Sequence, residues 1–196
     1  MKISVILFNG FQDLDVFGPA AVLASVPTHE LSYHSLEGGM MNGSCGASIG
    51  TSVMKEISDG GIVLVPGGFG TRAEVNNAEF IGALAAVCRN ASYVLTVCTG
   101  AALLARTGLL DGRRATSNKR AFEWAVSQGA NVTWEKKARW VVDGNIYTSS
   151  GVTAGIDMAL GFIADRYGAD AAEKIADGIE YRWNADAEDD RARHPP

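Results

Sequence analysis

The chain has 196 residues, 47% of them hydrophobic and 20% charged, with a formal net charge of −5. That size fits one domain with a sizeable core, and the acidic balance gives none of the basic footprint that nucleic-acid binding requires. No run approaches the roughly 18 uninterrupted apolar residues of a membrane span, and three cysteines at unrelated spacings build no disulfide framework.

The opening Met1-Lys2-Ile3-Ser4-Val5 reads directly into a strand, without the apolar segment and small-residue cleavage site of a secretory signal. A reduced, cytoplasmic protein is the expectation. Residues 3–8 form an apolar first strand that stops at Asn9-Gly10. Residues 11–19 read as a loop opening into a helix, with Pro19 at an early helical position and residues 20–25 following it. Residues 29–36 alternate as a second strand, and the glycine punctuation at Gly38-Gly39 and Asn42-Gly43 predicts a hairpin over 40–54. Residues 62–65 are a continuous apolar run of the central-strand type, halted by Pro66-Gly67-Gly68-Phe69-Gly70. Residues 79–89 form an amphipathic helix with Ile81, Leu84, Ala85 and Cys88 on one face.

Tyr93 and the β-branched, apolar residues up to Val97 then meet a small-residue helical run through Cys98-Thr99-Gly100, and that helix stops at Gly108. Ala115-Thr116-Ser117-Asn118 leads into a helix over 121–128. Strands follow at 132–134, 139–142 and 145–148, the last two joined at Asp143-Gly144. Helices over 151–167 and 171–179 close the fold. Strands alternating with helices predict a single-domain three-layer α/β/α sandwich over residues 1–185, of flavodoxin-like kind, with a largely parallel central sheet. The charged segment 186–196 is expected to be a partly disordered tail.

A strand that turns abruptly into a helix leaves the turning residue projecting from the carboxyl edge of the sheet, where open α/β folds bind ligands. Cys98 holds that position, as in a nucleophile elbow with cysteine in place of serine. A helix starting at Thr99 or Gly100 would aim free N–H groups and a positive dipole end at the thiol, which predicts a lowered pKa and a nucleophilic thiolate. The bland alternative is a small buried cysteine.

Histidine is the usual base for such a thiol, but His29 and His34 bracket the second strand and His194 lies in the tail. All three read as solvated or structural. Asp13 and Asp15 follow the first strand at the edge where Cys98 should emerge. A carboxyl group among Leu14, Val16 and Phe17 would be partly desolvated and could carry a proton near neutrality. Helix capping competes for either aspartate, and Asp15 is the functional candidate of the two. The glycine turn at 66–70 lacks both the P-loop ending and the dinucleotide pattern, and its backbone N–H groups suit an oxyanion site or a tight structural turn. Cys45 and Cys88 pair with no histidine or carboxylate at ligand spacing, so no metal is expected. Trp124, Trp134, Trp140 and Trp183 read as core or interface rather than as a binding platform.

Taken together, Asp15-Val16-Phe17-Gly18-Pro19, Pro66-Gly67-Gly68, Val97-Cys98-Thr99-Gly100-Ala101, Ala115-Thr116-Ser117-Asn118 and Ser150-Gly151-Val152-Thr153-Ala154-Gly155-Ile156-Asp157 resemble the ThiJ/PfpI superfamily, which shares the class I glutamine amidotransferase-like fold. The resemblance covers nearly the whole chain and is nearest to the isocyanide hydratase branch. It implies Cys98 as nucleophile, Asp15 as acid/base, Thr99 positioning Asp15 or substrate, and Gly67 and Gly68 lining the pocket by their N–H groups. It also implies a small-molecule substrate, no cofactor and a homodimer. The protease-like branch has histidine where Thr99 stands, which speaks against peptidase activity. Many relatives of the hydratase branch carry histidine in the segment matching 116–119, whereas this chain has Asn118. A different polar group would therefore line the pocket. The other readings are glyoxalase chemistry on 2-oxoaldehydes, a redox sensor through Cys98, and a non-catalytic binding module. DNA-binding domains joined to this fold find no room in 196 residues. Whether Thr148, Ser149 and Ser150 line the site stays open at this level.

Overall fold

The structure, a computed structural model, describes residues 1–188 and 190. Eight strands form one sheet in the order β3-β4-β2-β1-β5-β6-β10-β9. Its parallel centre comprises β1 (Lys2–Ile6), β2 (Glu30–Ser35), β5 (Ile62–Val65), β6 (Tyr93–Thr96) and β10 (Ile146–Ser149). The edges are β9 (Trp140–Asp143), antiparallel to β10, and the hairpin of β3 (Gly39–Asn42) with β4 (Ser48–Val53). A two-residue parallel ladder pairs β7 (Arg114–Ala115) with β8 (Thr133–Trp134). All four side chains of β5 are buried, as a strand covered on both faces requires. Each fully buried Val, Leu or Ile stabilises the fold by about 1.5–3 kcal/mol.

Helices cover both faces of the sheet. α1 (Asp13–Ala24) packs on α6 (Ala154–Tyr167), which also packs on α7 (Ala169–Gly178). α3 (Ala78–Asn90) packs on α4 (Gly100–Arg106), with α2 (Thr71–Glu74) and α5 (Phe122–Val126) beside α4. α1 and α6 approach closely because Gly18 leaves space for Ile156, whose Cγ1 would lie 2.7 Å from any Cβ added there. The chain runs from β1 to β2 on one side and then to β5 on the other. The order therefore reverses between β1 and β5, where an open α/β sheet forms its ligand crevice.

Four local expectations are corrected. The segment 13–19 is helix rather than loop, so Pro19 sits inside α1, where it removes only the bond to the Asp15 carbonyl. The glycine turn is followed by α2, a helix that its short, weakly apolar sequence does not announce. α6 starts at Ala154 because Val152 adopts a φ of +46°, incompatible with helix. The described tail residues are tied down rather than loose. The Ala187 carbonyl accepts from the N–H groups of Arg139 and Trp140 (2.7 and 3.3 Å), and Asp190 pairs with Arg139 at 3.1 Å. The rest of the expected tail, with His194, lies outside the described residues.

Candidate active site

β1, β5 and β6 are neighbours, so the segments leaving their carboxyl ends converge at the reversal point. The first delivers Asp15 in the opening turn of α1, the second Gly67 and Gly68, and the third Cys98. Cys98 has a φ of +58°, a left-handed backbone that costs a non-glycine residue energy and that defines the elbow. Its N–H donates to the Ser150 carbonyl (3.0 Å), and its own carbonyl accepts from the Ser117 hydroxyl (2.8 Å). Gly100 lets the elbow press onto β5, since a Cβ there would collide with the Val65 carbonyl oxygen.

Asp15 is fully buried, and its Oδ2 accepts from the Gly67 N–H at 3.0 Å. The Cys98 thiol lies near enough for the two charges to interact, while Asp15 Oδ1 has no hydrogen-bond partner among the described residues. Burial raises the Asp15 carboxyl to about 7, with the Gly67 bond and the neighbouring thiol pulling the other way. Burial, followed by the Asp15 charge, pushes the Cys98 thiol up to about 12. The Thr99 N–H, the Asn118 side-chain amide and the Val152 N–H lie near the sulfur and pull its pKa down. The lowered thiol pKa expected from the helix start is thus corrected. The Thr99 N–H is delivered as foreseen, but desolvation and a neighbouring anion outweigh it. Two groups that interact this closely titrate as a pair rather than independently.

The remaining candidates divide by what they touch. The Thr99 hydroxyl accepts from the Gly68 N–H (3.0 Å) and from Thr71 (3.2 Å), so it braces the glycine turn. The N–H groups of Gly67 and Gly68 are therefore already engaged, by Asp15 and Thr99. Asn118 caps its own turn, Oδ1 accepting from the Arg120 and Ala121 N–H groups at 3.0 Å each, while its amide nitrogen faces the sulfur. Thr148 accepts from the Thr116 N–H (2.9 Å), Ser149 Oγ lies 3.4 Å from the Thr96 carbonyl, and Ser150 donates to Asp190. These three brace the floor from behind. Asp13 makes no cap. It holds the β3–β4 turn by accepting from Ser44 Oγ and the Cys45 N–H, both at 2.8 Å. His29 bridges the Leu23 carbonyl and Tyr167 (2.8 Å each), and His34 bonds Ser32 (2.9 Å), both away from the elbow. Among the described residues, no three His, Cys, Asp or Glu side chains gather as a metal site.

A cavity of about 540 Å³ opens over Cys98, Thr99, Gly68 and Asn118, and its wall adds Gln12, Phe69, Arg72, Arg120 and Val152. Sequence reasoning missed this wall. A cation directly after a glycine turn was the available signal for Arg72. Trp124 packs against the core as expected, and the Arg72 guanidinium lies 3.8 Å from its ring centre. Behind Asn118, Lys119 donates to Thr116 Oγ1 and the Ala138 carbonyl (2.6 Å each), and Arg139 grips Asp157 (2.7 Å) and Asp190. Burial lowers the Lys119 ammonium to about 8.

A sequence profile of the DJ-1/PfpI family matches residues 1–165. The chain belongs to the DJ-1/PfpI family. It is 32% identical over 182 residues to an isonitrile hydratase from Pseudomonas putida, covering 92% of this chain and 78% of that protein. It is also 31% identical over 144 residues to the HTH-type transcriptional regulator CdhR of Pseudomonas aeruginosa, where the match takes in 73% of this chain but only 42% of the regulator. Among solved structures, a ThiJ/PfpI family protein from Pseudomonas syringae superposes with a TM-score of 0.85 at 27% identity, over 93% of this chain and 76% of that one. Drosophila melanogaster DJ-1beta superposes with a TM-score of 0.78 at 21% identity, over 93% and 98%, and shares the fold. The DJ-1/PfpI fold is thus the mostly parallel, doubly covered sheet expected from the alternating elements.

Proposed function

We propose that the chain is a cofactor-independent enzyme hydrating small isocyanides to N-substituted formamides, with Cys98 as nucleophile and Asp15 as acid and base. The observation that carries this reading is the buried Asp15 carboxyl, fixed by the Gly67 N–H beside Cys98 beneath an open cavity. The likeness to an isonitrile hydratase supports it.

The terminal carbon of the isocyanide approaches the Cys98 sulfur. As the S–C bond forms, the thiol proton passes to Asp15 and on to that carbon, giving the thioimidate R–N=CH–S–Cys98. Coupling attack to proton transfer removes the need for a standing thiolate, which burial disfavours. The Thr99 and Val152 N–H groups and the Asn118 amide offset the charge that develops on sulfur. Water then adds to the thioimidate carbon, with Asp15 taking its proton and returning it to nitrogen. Collapse of the resulting R–NH–CH(OH)–S–Cys98 expels the sulfur, which regains the hydroxyl proton through Asp15. One isocyanide and one water give one formamide. Gly67 keeps Asp15 aimed, while Thr99 and Gly68 hold the glycine turn against the elbow.

The regulator relatives favour a second reading, ligand binding without turnover. Proton NMR of an alkyl isocyanide incubated with the chain separates the two. A formyl signal that grows with the wild type and is absent with Cys98→Ala supports the enzyme. No signal with either supports the binding module.

A further inference from the structure

The cavity wall has a charge pattern that hydration of an isocyanide does not by itself require. Two of its side chains, Arg72 and Arg120, are cations, and none of the residues that line it is acidic. Asp15 lies beneath the elbow, buried and bonded to Gly67, and is not among the residues that line the cavity. Among the described residues, neither arginine has a carboxylate within ion-pairing distance, although five other basic residues do.

Arg72 is held in place rather than left to wander. Its guanidinium stacks on Trp124 at 3.8 Å and lies 5.7 Å from the Phe69 ring centre, while Nη1 donates to the Thr71 hydroxyl at 3.1 Å. Stacking occupies the flat face of the group and leaves in-plane N–H donors free along its edge, the geometry that grips a carboxylate by two parallel bonds. Arg72 is also near enough to Cys98 for their charges to interact. A substrate whose reacting carbon sits on the sulfur therefore brings a group a few atoms away within reach of this edge. The volume of about 540 Å³ leaves room for that second group, and Phe69, 86% exposed, offers an apolar lip for the link between them.

We propose that the site selects electrophiles carrying a carboxylate a few atoms from the reacting carbon, with Arg72 as the anchoring residue and Arg120 as a second, looser cation. For the identity of the reacting group this rests on the hydratase reading, so the probes are isocyanoacetate and the uncharged isocyanoacetamide, which differ in charge far more than in size.

The test is isothermal titration of both probes into Cys98→Ser, which removes the nucleophile and leaves binding to be read alone. Isocyanoacetate should bind at least about tenfold more tightly than the amide, and the preference should shrink as salt is raised. Arg72→Gln together with Arg120→Gln should bring the ratio to about one. Arg120→Gln alone, at an exposed position, should lower it severalfold even if Arg72→Gln disturbs folding. Equal affinities, no measurable binding of either probe, or a preference that survives the double substitution would overturn the proposal. Failure of the hydratase reading looks different. In that case the carboxylate preference is present in Cys98→Ser, but the wild type hydrates neither probe. Turnover of both probes with equal affinity sinks the carboxylate proposal and leaves hydration standing.

Discussion

The Asp15 carboxyl and the Cys98 thiol lie near enough for their charges to interact, with both side chains buried beneath the cavity floor. A thiol paired with histidine can rest as an ion pair. One paired with a carboxylate cannot, because moving the proton only exchanges one anion for another. A carboxyl group raised to about 7 can hold a proton near neutrality, and in the proposed mechanism nucleophilicity is released only as that proton moves.

An acid whose folded pKa lies above its unfolded value favours the folded state at low pH and disfavours it at high pH. For Asp15 that contribution is fully present below the ordinary carboxyl value of 3.8 and is lost as pH rises through about 7. Asp15→Asn keeps an acceptor for the Gly67 N–H and removes the titration. It should be more stable than the wild type at pH 8, on the order of a few kcal/mol, with the gap closing near pH 4. Denaturant unfolding at the two pH values measures this, and a pH-independent gap would contradict it.

Asn118→Asp keeps the oxygen that caps the Arg120 and Ala121 N–H groups but replaces the amide that faces the sulfur with an anion. Its melting temperature should stay close to that of the wild type while kcat/KM falls by about 10²-fold or more. A proportionate loss of stability and activity would assign Asn118 to structure alone.

Burial pushes the Cys98 thiol up to about 12, which keeps it protonated at neutral pH. Mild peroxide should therefore oxidise Cys98 no faster than exposed Cys45, as read by peptide mass spectrometry. Selective sulfinic acid at Cys98 would instead support a redox sensor.

Asp190 ties the tail to Arg139 and lies 3.9 Å from the Lys119 ammonium, all three side chains being nearly buried. Asp190→Ala should cost about 3 kcal/mol, at the lower end for breaking a buried pair because Arg139 keeps Asp157. Thermal unfolding measures it. An unchanged melting temperature would show that the tail contributes nothing to stability.

The strands and most helices were legible because their periods match burial. The run at 62–65 and the face of Ile81, Leu84 and Cys88 are examples. The elbow was legible because a β-branched run meets a small-residue run at Cys98. What escaped has long-range causes. The helical start at Asp13 is set by packing on α6 through Gly18 and Ile156 rather than by a cap. The thiol's upward shift depends on burial beside Asp15, 83 positions earlier, which no local dipole argument registers. Arg72 and Trp124 meet across 52 positions, and Asp190 meets Arg139 and Lys119 across 51 and 71.

The pH dependence of kcat/KM for an isocyanide, measured from pH 5 to 9 in the wild type and in Asp15→Asn, tests the proton exchange between Cys98 and Asp15 most directly. The account predicts a rise through about 7 as Asp15 becomes the base for the thiol. In Asp15→Asn that rise should vanish, with a loss of about 10²-fold or more. A flat wild-type profile, or an Asp15→Asn variant that keeps the wild-type rate, would contradict it.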